Sequence, residues 1–311
     1  MTPSPIGQLP VAVAEVPAAE WAAAIVARHS ARTFTGRETD PALLDRLERF
    51  CGGLPGGEVA RVARVALVRG VPDALFTGIV GSYGRVVGAT SALVMIGAET
   101  QPTAQECAGY LGEAVILEAT SLGLGTCWVG GYFDRPLAAE LVTLSSRERV
   151  LAVSPVGDAL ARPRAGERVL KRFVGAHKRK PLEEIAPGFD LERWPAWAAE
   201  GVRLARAAPS AANRQPWRFE FGLAPVPGAP TGETAARESG PTGTVTVSAV
   251  TKGPEGNVSR RLDCGIAMLH FEVGARLMGA AGHWEVLETP RVARYHVTIA
   301  GGESPRFSAT P

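Results

Sequence analysis

Two long stretches of apolar residues at helical spacing, Glu106 to Leu122 and Leu262 to Met278, each stop at a glycine and lead into the same short pattern. Leu111, Val115, Leu117 and Leu122 mark the first, which ends at Gly123 and Gly125; Gly279 ends the second. Apolar side chains at this period make a helix that must be buried, and glycine just past its end takes the left-handed turn that stops it. Ala119, Gly123 and Trp128 stand at the same mutual spacing as Ala275, Gly279 and Trp284. Around these stretches both halves run in the order helix, loop, strand, strand, long helix, strand. At the residue level the echo is faint, and by itself the order only suggests two similar α+β units in tandem.

The other elements fill in that plan. Trp21 to Ala27 reads as a helix. Thr39-Asp40-Pro41 starts another, with a capping side chain and proline in its first turn, and Leu43, Leu44, Leu47 and Phe50 carry it to Gly52-Gly53. Strands are expected over Arg64 to Arg69, Ala92 to Gly97 and Val150 to Gly157. Arg162 to Lys180 reads as a basic connector. In the second half a helix from Ala196 to Ala207 precedes strands at Arg218 to Phe221, Thr244 to Val250, Trp284 to Leu287 and Arg294 to Ile299. Val226 to Gly243, rich in Gly, Pro and Thr, reads as a surface insertion because strands of one unit flank it. The expected division is an N-terminal arm (1–19), loosely held, then a first unit (20–180) and a second (181–311) interlocked with it.

With 311 residues, 46% of them hydrophobic, the chain can bury a large core. A net charge of +2, from 33 basic and 31 acidic residues, projects no strong field and argues against a nucleic-acid partner. No apolar run approaches the roughly 20 residues that span a bilayer, and Met1 to Glu20 lacks a basic start followed by an apolar core, so no membrane association is expected. Cys51, Cys107, Cys127 and Cys264 show neither CxxC nor metal spacing, which suits a reduced, cytoplasmic protein. His29, His177, His270, His283 and His296 show no ligand spacing, so core or surface roles are expected and no metal. Cys127 reads as an inert small apolar residue. Gly81-Ser82-Tyr83-Gly84-Arg85 has too few glycines for a dinucleotide fingerprint.

Three tracts carry chemistry. Arg28-His29-Ser30-Ala31-Arg32 places two guanidiniums and a hydroxyl at alternate positions just past a helix end, a set of donors that suits a phosphate dianion. Ser121 to Phe133 includes the glycine pair Gly130-Gly131 after Trp128-Val129. Pro209-Ser210-Ala211-Ala212-Asn213-Arg214-Gln215-Pro216-Trp217 offers short polar side chains on a loop stiffened by two prolines.

Together these tracts resemble the FMN-dependent nitroreductases, and their order resembles the TM nitroreductase subgroup, from about Glu20 to nearly the C-terminus. The usual family order places the Ser-Ala-x-Asn loop one helix after Arg-x-Ser-x-Arg, with FMN bound across a homodimer interface. Here the loop lies in the far half. The resemblance therefore implies a nitroreductase-like fold of two tandem pseudo-symmetric units, a fused pseudo-dimer with one FMN site built from both. Arg28 and Arg32 would hold the FMN phosphate, with Ser30 adding a hydroxyl and His29 its backbone. Arg179 resembles the later phosphate arginine, and a solvated basic linker is its other reading. Trp128, Val129, Gly130 and Gly131 resemble the segment under flavin N5, where glycine lets backbone approach the ring; many relatives carry Glu at the position of Gly130. Pro209, Ser210, Ala211, Asn213 and Gln215 would wrap the ribityl chain and ring edge, with turn and packing roles as the alternative. Tyr83 could line the pocket.

A single site follows from what each half lacks. Phe50 to Gly57 has no Ser or Asn where the first half would carry the loop, and Arg172 to His177 lacks the phosphate pattern in the second. The function implied is hydride transfer from NAD(P)H through FMN to an electron-poor small molecule such as a nitroaromatic or quinone, with no side chain named as catalytic. An FMN storage or sensor protein with an occluded flavin is the alternative, and a flavin oxidase or dehydrogenase a third. A fused pseudo-dimer leaves a monomer plausible.

Overall fold

The first long helix and the second lie side by side at the centre of the molecule. A computed structural model describes residues 5–9, 13, 15–54, 62–76, 86–160, 178–190, 194–224, 242–250 and 256–297. Its helices are α1 (Ala18–Ala27), α2 (Pro41–Gly53), α3 (Ala104–Ser121), α4 (Arg135–Glu140), α5 (Leu182–Ile185), α6 (Ala196–Arg206) and α7 (Arg260–Leu277). The strands are β1 (Pro5–Gln8), β2 (Ala63–Arg69), β3 (Ser91–Ala98), β4 (Gly125–Thr126), β5 (Glu148–Gly157), β6 (Trp217–Ala224), β7 (Thr242–Ala249), β8 (Gly282–Leu287) and β9 (Arg291–Val297). The caps fall where the sequence places them: Asp40 Oδ1 accepts from the Ala42 amide at 2.9 Å, and Gly123 and Gly279 take φ of +80° and +78°.

Two antiparallel sheets flank the central helices, ordered β2-β3-β5-β4 and β1-β8-β9-β7-β6. β3 is buried along its whole length because both of its faces are covered. Leu93 and Met95 join the core around α3, while Ala92, Val94 and Ile96 join a second cluster with Phe34, Leu75, Phe76 and Phe133. The α+β architecture with two sheets agrees with the expected nitroreductase-like class.

α3 and α7 meet backbone to backbone. A Cβ on Gly109 would collide with the carbonyl of Leu262, and one on Gly265 with that of Glu106. The contact is reciprocal, since Glu106 and Leu262, like Gly109 and Gly265, are separated by the same spacing as Trp128 and Trp284; surfaces related by a twofold axis meet in this way. Arg261 closes the entrance to the crossing, its Nη2 and Nε donating to the two oxygens of buried Glu106 at 2.6 and 2.9 Å.

The expected loose arm is instead anchored. β1 pairs with β8, the Leu9 amide donates to the Trp284 carbonyl at 2.7 Å, and Leu9 and Val13 are buried. β8 would otherwise present an open edge, and the arm covers it. β6 and β7 pair as a hairpin whose connection, including Val226 to Pro241, lies outside the described residues, as do Tyr83, the Gly81 to Arg85 stretch and Arg162 to His177. No helix among the described residues is long and apolar enough to cross a membrane.

Candidate functional site

The three tracts form a closed ring. α1 ends at Ala27, and the chain leaves it along β4, with Ser30 bridged to Thr126 and the Ala31 amide donating to the Thr126 carbonyl at 2.9 Å. Beyond β4, Val129 is held on both sides by Val153 at 2.8 and 2.9 Å. Gly130 lies against the Val258 side chain and Gly131 beside Asn257. The Val258 carbonyl accepts from Arg214 Nη2 at 2.8 Å, Arg214 Nε donates to Asp263 Oδ2 at 2.7 Å, and Asp263 Oδ1 accepts from the Ala211 amide at 3.1 Å. Within the loop, Ser210 Oγ accepts from the Gln215 amide at 2.9 Å. Asn213 Oδ1 accepts from Arg179 Nη1 at 2.7 Å and its Nδ2 donates to the Lys178 carbonyl at 2.9 Å, while Gln215 Oε1 accepts from the Lys180 amide at 2.9 Å. Arg179 lies close enough to feel the charge of Arg28, which brings the loop back to the first tract.

Positive charge accumulates where it closes. Arg28 Nε and Nη1 are buried without a hydrogen-bond partner among the described residues, as is Thr126 Oγ1. Burial first, then the neighbouring charges of Arg28 and Arg206, hold Arg179 below the usual arginine range. Buried guanidinium N–H groups left unmade are costly, so this arrangement fits an anion with several acceptor oxygens. The loop that faces it is conformationally unusual: Ala212, Asn213 and Gln215 have φ of 49°, 55° and 45°, a left-handed region that costs non-glycine residues energy and clusters at binding sites. The donors of Arg28 suit a phosphate group. His29 is exposed, its Nδ1 only 3.5 Å from the Ala27 carbonyl.

The family described as putative TM nitroreductase matches residues 20–275. The chain belongs to that family. Among solved structures it is similar to a putative nitroreductase of Thermotoga maritima, at 20% identity over 89% of this chain and 93% of the other, with a TM-score of 0.54. Two Clostridium difficile proteins also match: a nitroreductase family protein (21% identity, 55% of this chain, 98% of the other, TM-score 0.40) and an FMN-dependent nitroreductase (19%, 45%, 88%, 0.38). No curated protein matches the chain.

The candidate site also rests on residues that the tracts did not point to. Asp263, in the first turn of α7, ties down the loop through Ala211 and Arg214; burial pushes its pKa up to about 6, while Arg214 and the Ala211 amide pull it down. Glu113 of α3 accepts from Trp128 Nε1 at 2.6 Å and meets His270 Nε2 of α7 at 2.7 Å. Arg206 donates to the Lys180 carbonyl at 2.7 Å. The available signal was a charged residue inside an apolar helical stretch, which must find a partner once buried. A cleft of about 730 Å³ is lined by Gln105, Arg135, Arg149, Asn257 and Ser259 among others, and Val258 of its wall lies against Gly130. Arg135 reaches back from it, donating to the Gly130 and Val150 carbonyls at 3.2 and 3.1 Å. The four cysteines are free, and burial pushes Cys51 up to about 12 and Cys107 and Cys264 well above the thiol range. No group of metal-ligating side chains occurs among the described residues.

Proposed function

We propose that this protein is an FMN-dependent oxidoreductase that moves hydride from NAD(P)H to an electron-poor acceptor such as a nitroaromatic or quinone, with one FMN site built from both units. The observation that carries this reading is the buried edge of Arg28 near Arg179, which has no hydrogen-bond partner among the described residues. Arg28, Arg32, Ser30 and Arg179 would hold the phosphate. The Pro209 to Gln215 loop would hold the ribityl chain and ring edge, and the Trp128 to Gly131 backbone would face N5. Bound FMN supplies the hydride chemistry; the chain binds it, orients it and controls access. A storage or sensor protein with an occluded flavin is the second reading, and reduction by a nicotinamide nucleotide separates the two.

The test is the absorbance spectrum of the purified protein before and after anaerobic NADH or NADPH. A yellow protein that bleaches with either nucleotide is the expected result. A yellow protein that neither nucleotide bleaches rejects the reductase assignment, and a protein that refuses added FMN rejects the site.

A further inference from the structure

The buried contact between Glu113 and His270 is separate from the ring of loops, yet it joins both sides of it. Both residues are fully buried, one on each central helix, with Glu113 Oε1 2.7 Å from His270 Nε2. His270 Nδ1 lies 3.2 Å from the Leu204 carbonyl, near the end of α6, which leads into the Pro209 to Gln215 loop. On the other side Glu113 Oε2 accepts from Trp128 Nε1 at 2.6 Å. The Trp128 ring is seated against α3 at Gly112, where a Cβ would come within 2.5 Å of its Cη2. Both nitrogens of the imidazole face acceptors, so one shared proton lies between ring and carboxyl and the pair carries no net charge.

The second half supplies an internal comparison. Trp284 occupies the place corresponding to Trp128, and its Nε1 donates to Glu272 of α7 at 3.1 Å. Glu272 is held by Arg276 Nε at 2.8 Å and by the Tyr110 hydroxyl at 2.7 Å, with no histidine. Trp284 is buried among Tyr295 and Phe271, whereas Trp128 is only half-buried and continues into Val129 to Gly131.

Resting on the proposed flavin site, we propose that Glu113, with its charge balanced by His270, is a positioning residue for the flavin. It fixes the Trp128 indole and thereby, beyond the Val129–Val153 pairing, the backbone amides of Gly130 and Gly131 that set how strongly reduced FMN is favoured over oxidised FMN.

The test compares bound-FMN midpoint potential and thermal midpoint in Glu113→Leu, Trp128→Phe, Glu113→Gln and Glu272→Leu. Gln can accept from Trp128 through its oxygen and donate to neutral His270 through its nitrogen, so Glu113→Gln should keep the wild-type potential. Glu113→Leu and Trp128→Phe should each lower the reduced-to-oxidised affinity ratio about tenfold, read as about 30 mV for a two-electron couple, and the double variant should go no further. Glu272→Leu should lower the thermal midpoint without moving the potential. If Glu113→Leu does not fold, Trp128→Phe carries the test, since it removes one hydrogen bond and leaves the pair in place. Bound FMN with an unmoved potential in Trp128→Phe overturns the inference. Failure of the wild-type protein to bind FMN would instead reject the site itself.

Discussion

Arg28 and Asp263 are opposite cases of a buried charge. Arg28 has buried donors with no acceptor among the described residues, a cost that an anion would remove. A hydrogen bond to a charged group is worth about 1.5–3 kcal/mol, so Arg28→Ala should weaken FMN binding about tenfold to a hundredfold. Riboflavin, which lacks the phosphate, should bind both proteins alike in a fluorescence-quenching titration. An equal loss for both ligands would move Arg28 away from the phosphate. Asp263 has partners but is buried deeply enough that its pKa rises from 3.8 to about 6. The folded state therefore holds this proton more tightly than the unfolded chain, and the stability it contributes is fully present below the unfolded value and lost as pH rises through about 6. Asp263→Asn has no proton to lose. The stability of the wild type relative to this variant, from urea unfolding, should fall by about 2–3 kcal/mol between about pH 4 and about pH 7.5. A constant difference would mean that Arg214 fully offsets the burial.

At the scale of elements, the glycines of α3 and α7 decide how close the two helices come. Replacing glycine by alanine inside a helix normally gains about 0.5–1 kcal/mol. At Gly109 the sign reverses, because the new methyl group meets the backbone of the facing helix and one helix must shift. Gly109→Ala should cost about 1–3 kcal/mol. Gly52→Ala, in open space at the last turn of α2, should be neutral or stabilising. Equal unfolding midpoints for the two variants, compared in the same FMN state, would show that the crossing is not tightly packed. These helices were legible in the sequence because their apolar period and glycine stops are local. β1 was not, because Pro5 to Gln8 becomes a strand only by pairing with β8 at the far end of the chain. β4, two residues long, is likewise defined by its pairing with β5.

Across the whole molecule, the local tracts of the candidate site were legible and their supports were not. Arg28 to Arg32, Trp128 to Gly131 and Pro209 to Gln215 announce themselves by residue type and spacing, but Asp263, Glu113 and His270 look like interruptions of apolar helices until the fold brings them to Arg214 and Trp128. The same view bears on stoichiometry. A twofold-related pair of units could hold two flavins, yet the place corresponding to Trp128 to Gly131 is closed in the second half. Trp284 is buried, its ring packs on Tyr295 at 4.9 Å, and its carbonyl is taken by the amide of Leu9 just beyond β1. The N-terminal arm thus lies where the mirror site would need free backbone. The α3–α7 contact, meanwhile, lies within one chain, and we propose that it replaces the interface between two copies. Flavin released by heat should therefore reach one FMN per chain, and sedimentation should give a monomer whose FMN content does not change on dilution. Two FMN per chain would mean that the arm leaves β8 and that the two halves are equivalent after all.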